Sequence, residues 1–365
     1  MLRKLLKIAF INLTLAGALW AQAEVIDITS PTSGATIDTS VVTVSFTAAT
    51  YFTVGDTNCT DCDGFVRAFL NDIHVASVYS TADFDIAMVG VPYDGAVTNR
   101  PGARHGPREV RNASSMMRTI HPTTRVNPFD ACRIGDAGDV PFTRVYEPEA
   151  AHGDIGQFFG CLADAGVVPL AIGGDHSITL PILRTIEAKG PIALIHIDAH
   201  TDTWDEWMGS RYNHGTPFRR AIEEGLIDPL RTIQIGIRGA QTSSEGWAYS
   251  ESNGLRVVYM DEVTSLGIES VAEEARSLVG SHPTYISFDI DSLDPAFAPG
   301  TGTPEVGGFT SREALTLIRS LKGLQLVGAD MVEVAPPFDP TGNTALVGAT
   351  ITYELLCLLA AAASS

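Results

Sequence analysis

From Ala82 onward, short runs of Val, Ile and Leu alternate with helix-length segments, and several of the runs are apolar on both faces. A strand apolar on both faces must be covered on both. That restricts it to a mainly parallel sheet held between helices. Candidate strands fall at 85–91, 168–173, 192–198, 232–237, 255–260, 284–290 and 324–334. Helix-like segments fall at 107–117, 154–165, 177–188, 216–224, 270–279, 311–321 and 345–361. The alternation predicts an α/β fold of three layers, α/β/α, around a mainly parallel sheet. In such sheets ligands sit at the carboxyl ends of the strands.

Three of those ends carry charge. The strand in "ALIHIDAHTDTW" is followed by Asp198, His200 and Asp202. Residues two apart on an extended segment share a face, so these three project together if the chain stays extended. "YISFDIDSLDP" repeats the device with Asp289 and Asp291, and "AIGGDHS" ends in Asp175 and His176. A single Asp at a strand end is commonly only a helix cap. Three such ends form a different pattern. Carboxylates gathered this densely stay ionised only around a compact positive charge. Asp and His without Cys suit Mn²⁺, and hold Ni²⁺, Co²⁺ or Zn²⁺ less selectively. Two shared carboxylates would place a pair of ions ~3.5 Å apart.

"GGDHS" at 173–177, "IDAHTD" at 197–202 and "SFDIDSLDPAFAPGTGTPEVGG" at 287–308 resemble the signatures of the ureohydrolases, the family of arginase and agmatinase. "GVPYDGAVTNRPGARHGP" at 90–107, "NHGTPFRRAIEEGLIDP" at 213–229, "QIGIRG" at 234–239 and "MVEVAPPFD" at 331–339 are similar to its agmatinase-like branch. The resemblance spans roughly 82–361 and implies an arginase/deacetylase-like fold. It implies two Mn²⁺ per subunit. His176, Asp198, Asp202 and Asp289 would hold one, and Asp198, His200, Asp289 and Asp291 the other, with Asp198 and Asp289 shared. It further implies hydrolysis of a guanidino compound to urea and an amine. Asp202 would orient the nucleophile, Glu333 would pair with the guanidinium, and His214 would protonate the leaving amine. Asp175 and Asp294 read as loop and turn residues. His105 is a candidate for the pocket wall, and His196 for a hydrogen-bonded core position. A homo-oligomer, trimer or hexamer, is the family's usual assembly.

Trp204, Asp205, Glu206 and Trp207 follow the "DAHTD" segment. An aromatic, acidic loop suits a cationic tail and points to agmatine, cleaved to putrescine. Arg211, Arg219 and Arg220 lie near enough in sequence to favour instead a carboxylate tail, as in guanidinobutyrate or guanidinopropionate. An inactive ureohydrolase-like binding protein and a one-zinc deacetylase are the readings from other classes.

The remaining features set the context. With 24 Lys and Arg against 43 Asp and Glu, the chain repels nucleic acid and anionic membranes. Residues 1–23 combine basic, apolar and small-residue segments, the layout of a signal peptide cleaved near Ala23, and imply a secreted or periplasmic protein. No other stretch reads as long enough to span a bilayer. Residues 24–81, rich in Thr, Ser and Val, read as a small β-rich module resembling part of an immunoglobulin-like sandwich, ahead of a catalytic domain at 82–365. Cys59 and Cys62 could close a small disulfide loop, while Cys132, Cys161 and Cys357 read as buried thiols.

Overall fold

The computed structural model describes residues 84–186 and 190–363, and the backbone of five strands before them. The chain divides into two compact units, Met1–Asp83 and Phe84–Ser365. In the first, β1 (Ile28–Ser30) and β3 (Phe52–Val54) both pair antiparallel with β2 (Val42–Phe46). A second antiparallel pair joins β4 (Phe65–Leu70) to β5 (Ile73–Val78). The signal peptide expected at 1–23 and the Cys59–Cys62 loop lie outside the described residues.

The second unit is built on eight strands: β6 (Ile86–Gly90), β7 (Ile134–Asp139), β8 (Val168–Ile172), β9 (Ile192–Ile197), β10 (Ile227–Ile237), β11 (Arg256–Tyr259), β12 (Thr284–Asp289) and β13 (Leu326–Val332). They form one sheet in the order β11-β10-β9-β12-β13-β8-β6-β7, and every pairing is parallel. The strands at 192–197 and 284–289 are buried at every position, which is why they read as unbroken apolar runs. Strand β7, with the sequence IGDAGD, carries no such run and escaped the sequence reading. It is an edge strand, paired on one side only, so its composition is freer.

Helices α1 (Gly106–Ser114), α7 (Met260–Leu266), α8 (Ile268–Val279), α9 (Ser311–Ser320) and α10 (Asn343–Ala363) form one contiguous group. Helices α3 (Pro148–Asp164), α4 (Thr179–Leu183) and α5 (Pro217–Glu223) form another, with α6 (Glu245–Ser252) beside β11. The short α2 (Pro128–Ala131), a single turn, touches α10 of the first group. The three-layer α/β/α expectation therefore holds. Local chemistry starts these helices. Thr310 and Glu313 form a reciprocal capping box at α9. Val271, Ala272, Ala275 and Val279 recur at helical spacing on α8 and are all buried.

Helix α10 corrects one expectation: 21 residues at mean hydropathy 1.8 are long and apolar enough to cross a membrane by length and composition. In the fold 61% of that window is buried, against β13, β8, α1 and α9. Cys132 is a buried free thiol as read, and Cys357 is a free thiol but only half-buried. Cys161 is instead disulfide-bonded.

Candidate metal centre

The four middle strands, β9, β12, β13 and β8, bring their carboxyl ends together. After β8 the chain crosses Gly173 and Gly174. A Cβ at Gly174 would lie 2.0 Å from the Tyr93 carbonyl oxygen, so only glycine allows that approach. Asp175 then caps a short turn by accepting from Ser177 N at 3.0 Å, and it holds the Ala96 amide at 2.9 Å. Its expected role in supporting the loop fits this geometry. The turn delivers His176 to the centre of the site.

His176 Nδ1 stands 3.1 Å from Asp198 Oδ2, 3.1 Å from Asp202 Oδ2 and 3.1 Å from Asp289 Oδ2. None of the three contacts has hydrogen-bond geometry, and Nδ1 is left without a partner. A second cluster lies beside it. His200 Nδ1 is 3.1 Å from Asp291 Oδ2 and 3.5 Å from Asp198 Oδ1. Asp198 thus turns one oxygen to each histidine, the disposition of a shared ligand. Asp289 turns Oδ2 to His176, and its Oδ1 accepts the Asp291 amide at 2.7 Å.

Asp202 arrives by a route the sequence pattern did not foresee. The segment does not stay extended: Asp202 is left-handed, with φ 50°, and so bends its carboxylate back towards His176. Glu333 is left-handed as well, at φ 66°. Such conformations cost about 1–3 kcal/mol each and persist where surrounding structure enforces them.

The charges are unbalanced as they stand. Burial, with Asp291 and Asp198 close by, pushes the Asp289 carboxyl well above its usual range. Burial acts on Asp198 too, but His196, His176 and His200 hold it well below that range. Burial opposes a charge on His176, yet Asp198, Asp202 and Asp289 raise it well above an ordinary histidine. A divalent ion in each cluster would resolve this competition. The bare Nδ1, the convergent carboxylate oxygens and the hard-to-intermediate donor set all fit one. Among the described residues, two groups of side chains are close enough to hold an ion: His176, His196, Asp198 and Asp202, and Asp198, His200 and Asp291; within the first, His196 Nε2 is already taken by its hydrogen bond to Asp198.

Glu333 and His214 form the flank. Glu333 Oε1 accepts from the His176 amide at 2.9 Å and from His214 Nδ1 at 2.8 Å. Its Oε2 is buried and unpartnered. The Thr98 amide donates to His214 Nε2 at 3.0 Å, so the neutral ring keeps its proton on Nδ1. Burial works against charging His214, but Glu333, with Asp202 and Asp175, raises it to about 9. Asp175, buried beside Glu333, is pushed up to about 7.

A cavity of about 440 Å³ opens over both clusters, lined by His200, Asp202, His214, Asp289 and Asp291 and, outward, by Arg100, Trp204, Gln241 and Glu305. Asp94 holds the loop carrying Arg100 by accepting the Gly102 and Arg104 amides at 2.6 and 3.2 Å. The loop after Asp202 does not present its acids to this cavity. Asp205 Oδ1 binds Arg220 at 2.7 Å and Arg211 at 3.2 Å, and Arg219 approaches Asp205 Oδ2 at 3.5 Å. Glu206 is exposed, and only Trp204 of this loop lines the wall. His105 is exposed and away from the cavity lining. Asp294 is a turn residue accepting the Ala296 and Gly307 amides. His196 is the hydrogen-bonded core histidine expected, donating from Nε2 to Asp198 Oδ2 at 2.7 Å. Ser287, Asp330 and Gln234 hold these histidines and were missed, because nothing in the sequence places them beside the ligands.

Residues 84–358 match the family model described as the Arginase family. Guanidinopropionase of Pseudomonas aeruginosa is 55% identical over 284 residues, covering 78% of this chain and 89% of its own. Mitochondrial agmatinase of Gallus gallus is 47% identical over 281 residues, covering 77% and 82%. The solved structure of proclavaminate amidino hydrolase from Streptomyces clavuligerus aligns with a TM-score of 0.74 at 41% identity, covering 77% of this chain and 93% of that one.

Proposed function

The chain belongs to the arginase family, hydrolases of guanidino compounds, and from that premise we propose that it is a two-manganese amidinohydrolase of ω-guanidino carboxylic acids, yielding urea and an ω-amino acid. The observation that carries the cation pair is the bare His176 Nδ1 facing three carboxylate oxygens beside the His200 cluster. His176, Asp198, Asp202 and Asp289 would hold one ion, and Asp198, His200, Asp289 and Asp291 the other. Such a pair supplies acidified water near neutral pH.

The chain's own groups do the rest. Asp202, at the cavity floor, accepts a hydrogen bond from the attacking water and so orients it. Glu333 Oε2, buried and free, accepts from the guanidinium N–H groups. His214, charged beside Glu333, gives its proton to the leaving amine. Water adds to the guanidinium carbon, the carbon–nitrogen bond to the alkyl arm breaks, and that nitrogen takes up the His214 proton; of the two protons the water gives up, one restores His214 and the other converts the amine to its ammonium form, so guanidinium and water become urea and an alkylammonium.

Arg100 supports the acid substrate. It lines the cavity, lies over the Phe338 ring at 4.2 Å and bonds two carbonyl oxygens, Gly302 O and Thr301 O, with no carboxylate among its described partners. Arg211, Arg219 and Arg220 are engaged by Glu223 of α5, Glu245 of α6 and Asp205 of the loop. In the acidic loop that pointed to agmatine, Asp205 is paired with these arginines, and Glu206 is exposed. Agmatine is the second reading, favoured by Glu305 at the cavity wall.

Urea release by the manganese-loaded protein separates these readings. The substrates are guanidinopropionate, guanidinobutyrate, agmatine, arginine and guanidine. The acids should exceed agmatine at least ~10-fold in kcat/KM, an advantage of about 1.4 kcal/mol, and Arg100→Gln should erase it. A preference for agmatine overturns the acid reading. Urea from none of the five would favour the inactive binding protein. Export belongs to the same proposal, and an intact mass retaining Met1 would overturn it.

A further inference from the structure

Four adjacent strands place polar side chains in one row. Gln234 of β10 is in register with His196 of β9, His196 with Ser287 of β12, and Ser287 with Asp330 of β13. All four are fully buried, and their chain neighbours Ile195, Ile197, Ile286 and Phe288 are core residues. A polar row across the middle of a buried parallel sheet is costly unless its members find partners. Breaks in the apolar pattern of this kind concentrate at functional sites.

The hydrogen bonds run outward in two arms. In the first, Ser287 Oγ donates to Asp330 Oδ1 at 2.6 Å, while Thr179 Oγ1 and Tyr285 OH reach Asp330 Oδ2 at 2.7 and 3.0 Å. A hydroxyl has one proton, so the Ser287 oxygen must accept from His176 Nε2, 2.8 Å away. In the neutral ring the His176 proton is thereby placed on Nε2, which leaves Nδ1, facing the three carboxylates, as the atom that would bind an ion. In the second arm, Gln234 Nε2 donates to the Thr201 carbonyl at 2.6 Å and to His196 Nδ1 at 3.0 Å. Only the amide nitrogen can meet that carbonyl, and Gln234 Oε1 is left unpaired. His196 therefore keeps its proton on Nε2 and gives it to Asp198 Oδ2. One arm ends on His176, and the other on the Asp198 oxygen beside it.

We infer that this row is a positioning layer. Asp330 acts through Ser287, and Gln234 through His196, to hold the ligand atoms of the His176 position in the form that binds a divalent ion. The inference rests on the cation pair proposed above and assigns residues beneath it that touch neither ion nor substrate.

Ser287→Ala removes one hydroxyl. Metal-free wild-type and variant protein, full length, are titrated with MnCl₂, and free Mn²⁺ is read by electron paramagnetic resonance. Wild type should take up two ions. The variant should lose about 10–100-fold in affinity at one position and keep the other unchanged. A metal-free thermal melt checks the fold. Should Ser287→Ala fail to fold, Asp330→Asn is the second variant, expected to weaken the same position to a smaller degree. Two wild-type affinities in a folded variant, or equal weakening of both positions, would overturn the positioning layer. A wild-type protein that takes up no pair of ions would overturn the cation pair itself, and this inference with it.

Discussion

The two halves of the site are built differently. The His176 side chain is 1% exposed, and its far nitrogen is held by the buried chain Ser287–Asp330. The His200 side chain is 21% exposed, and its far nitrogen faces Glu305, itself 32% exposed, at 3.6 Å, too far for a hydrogen bond. One position is set by strands in register and is the more deeply buried. The other is set by loops at the cavity wall and is the more exposed. Ligands locked by packing bind a metal more tightly than ligands free to turn, so the difference should appear as unequal affinity.

Breaking the element common to both halves should have the largest effect. Asp198 offers one oxygen to each cluster, so Asp198→Ala should lose both ions and more than about 100-fold in kcat/KM, beyond what removal of an outer partner does. Metal content by mass spectrometry checks it, and retention of the His176-side ion would remove Asp198 from its shared place. Next comes the buried flank alone. In the metal-free protein His214 is raised from 6.5 to about 9. Its charge then stabilises the fold fully below about pH 6.5, and that contribution is lost as pH rises through about 9. The contribution is at most about 3 kcal/mol, because the Thr98 amide opposes the charge on Nε2. Urea unfolding of wild type and His214→Gln at pH 6 and pH 9.5 measures it, and equal differences at both pH values would contradict the pairing with Glu333. The smallest effect sharpens the comparison itself. Stepwise chelation of the manganese protein should remove the His200-side ion first, with affinities differing about 10-fold. Simultaneous loss of both ions would mean that burial does not separate the two positions.

Much of this site was legible. The ligand candidates His176, Asp198, His200, Asp202, Asp289 and Asp291 stand where the strand-end motifs put them, and all converge on two neighbouring clusters. Local alternation was enough for that, because each motif is a strand followed at once by its turn. Strand β7 was not legible, since an edge strand needs no apolar run. The left-handed turn at Asp202 was missed because only glycine announces that conformation in a sequence. The pairing of Asp205 in the acidic loop was not legible, because its partners, Arg211, Arg219 and Arg220, are set by the fold of the loop onto α5.

Taken alone, the sequence determined the layered α/β architecture and the residue types at the strand ends, because both depend on neighbours close along the chain. Tertiary structure alone decided which strands lie side by side. That choice set Gln234, His196, Ser287 and Asp330 in one row, gave the His176 and His196 rings their hydrogen-bond partners, and buried one half of the site more deeply than the other. The reason is physical. Strand register and burial are properties of chains meeting across a sheet, and no spacing within one strand records what its neighbour will offer.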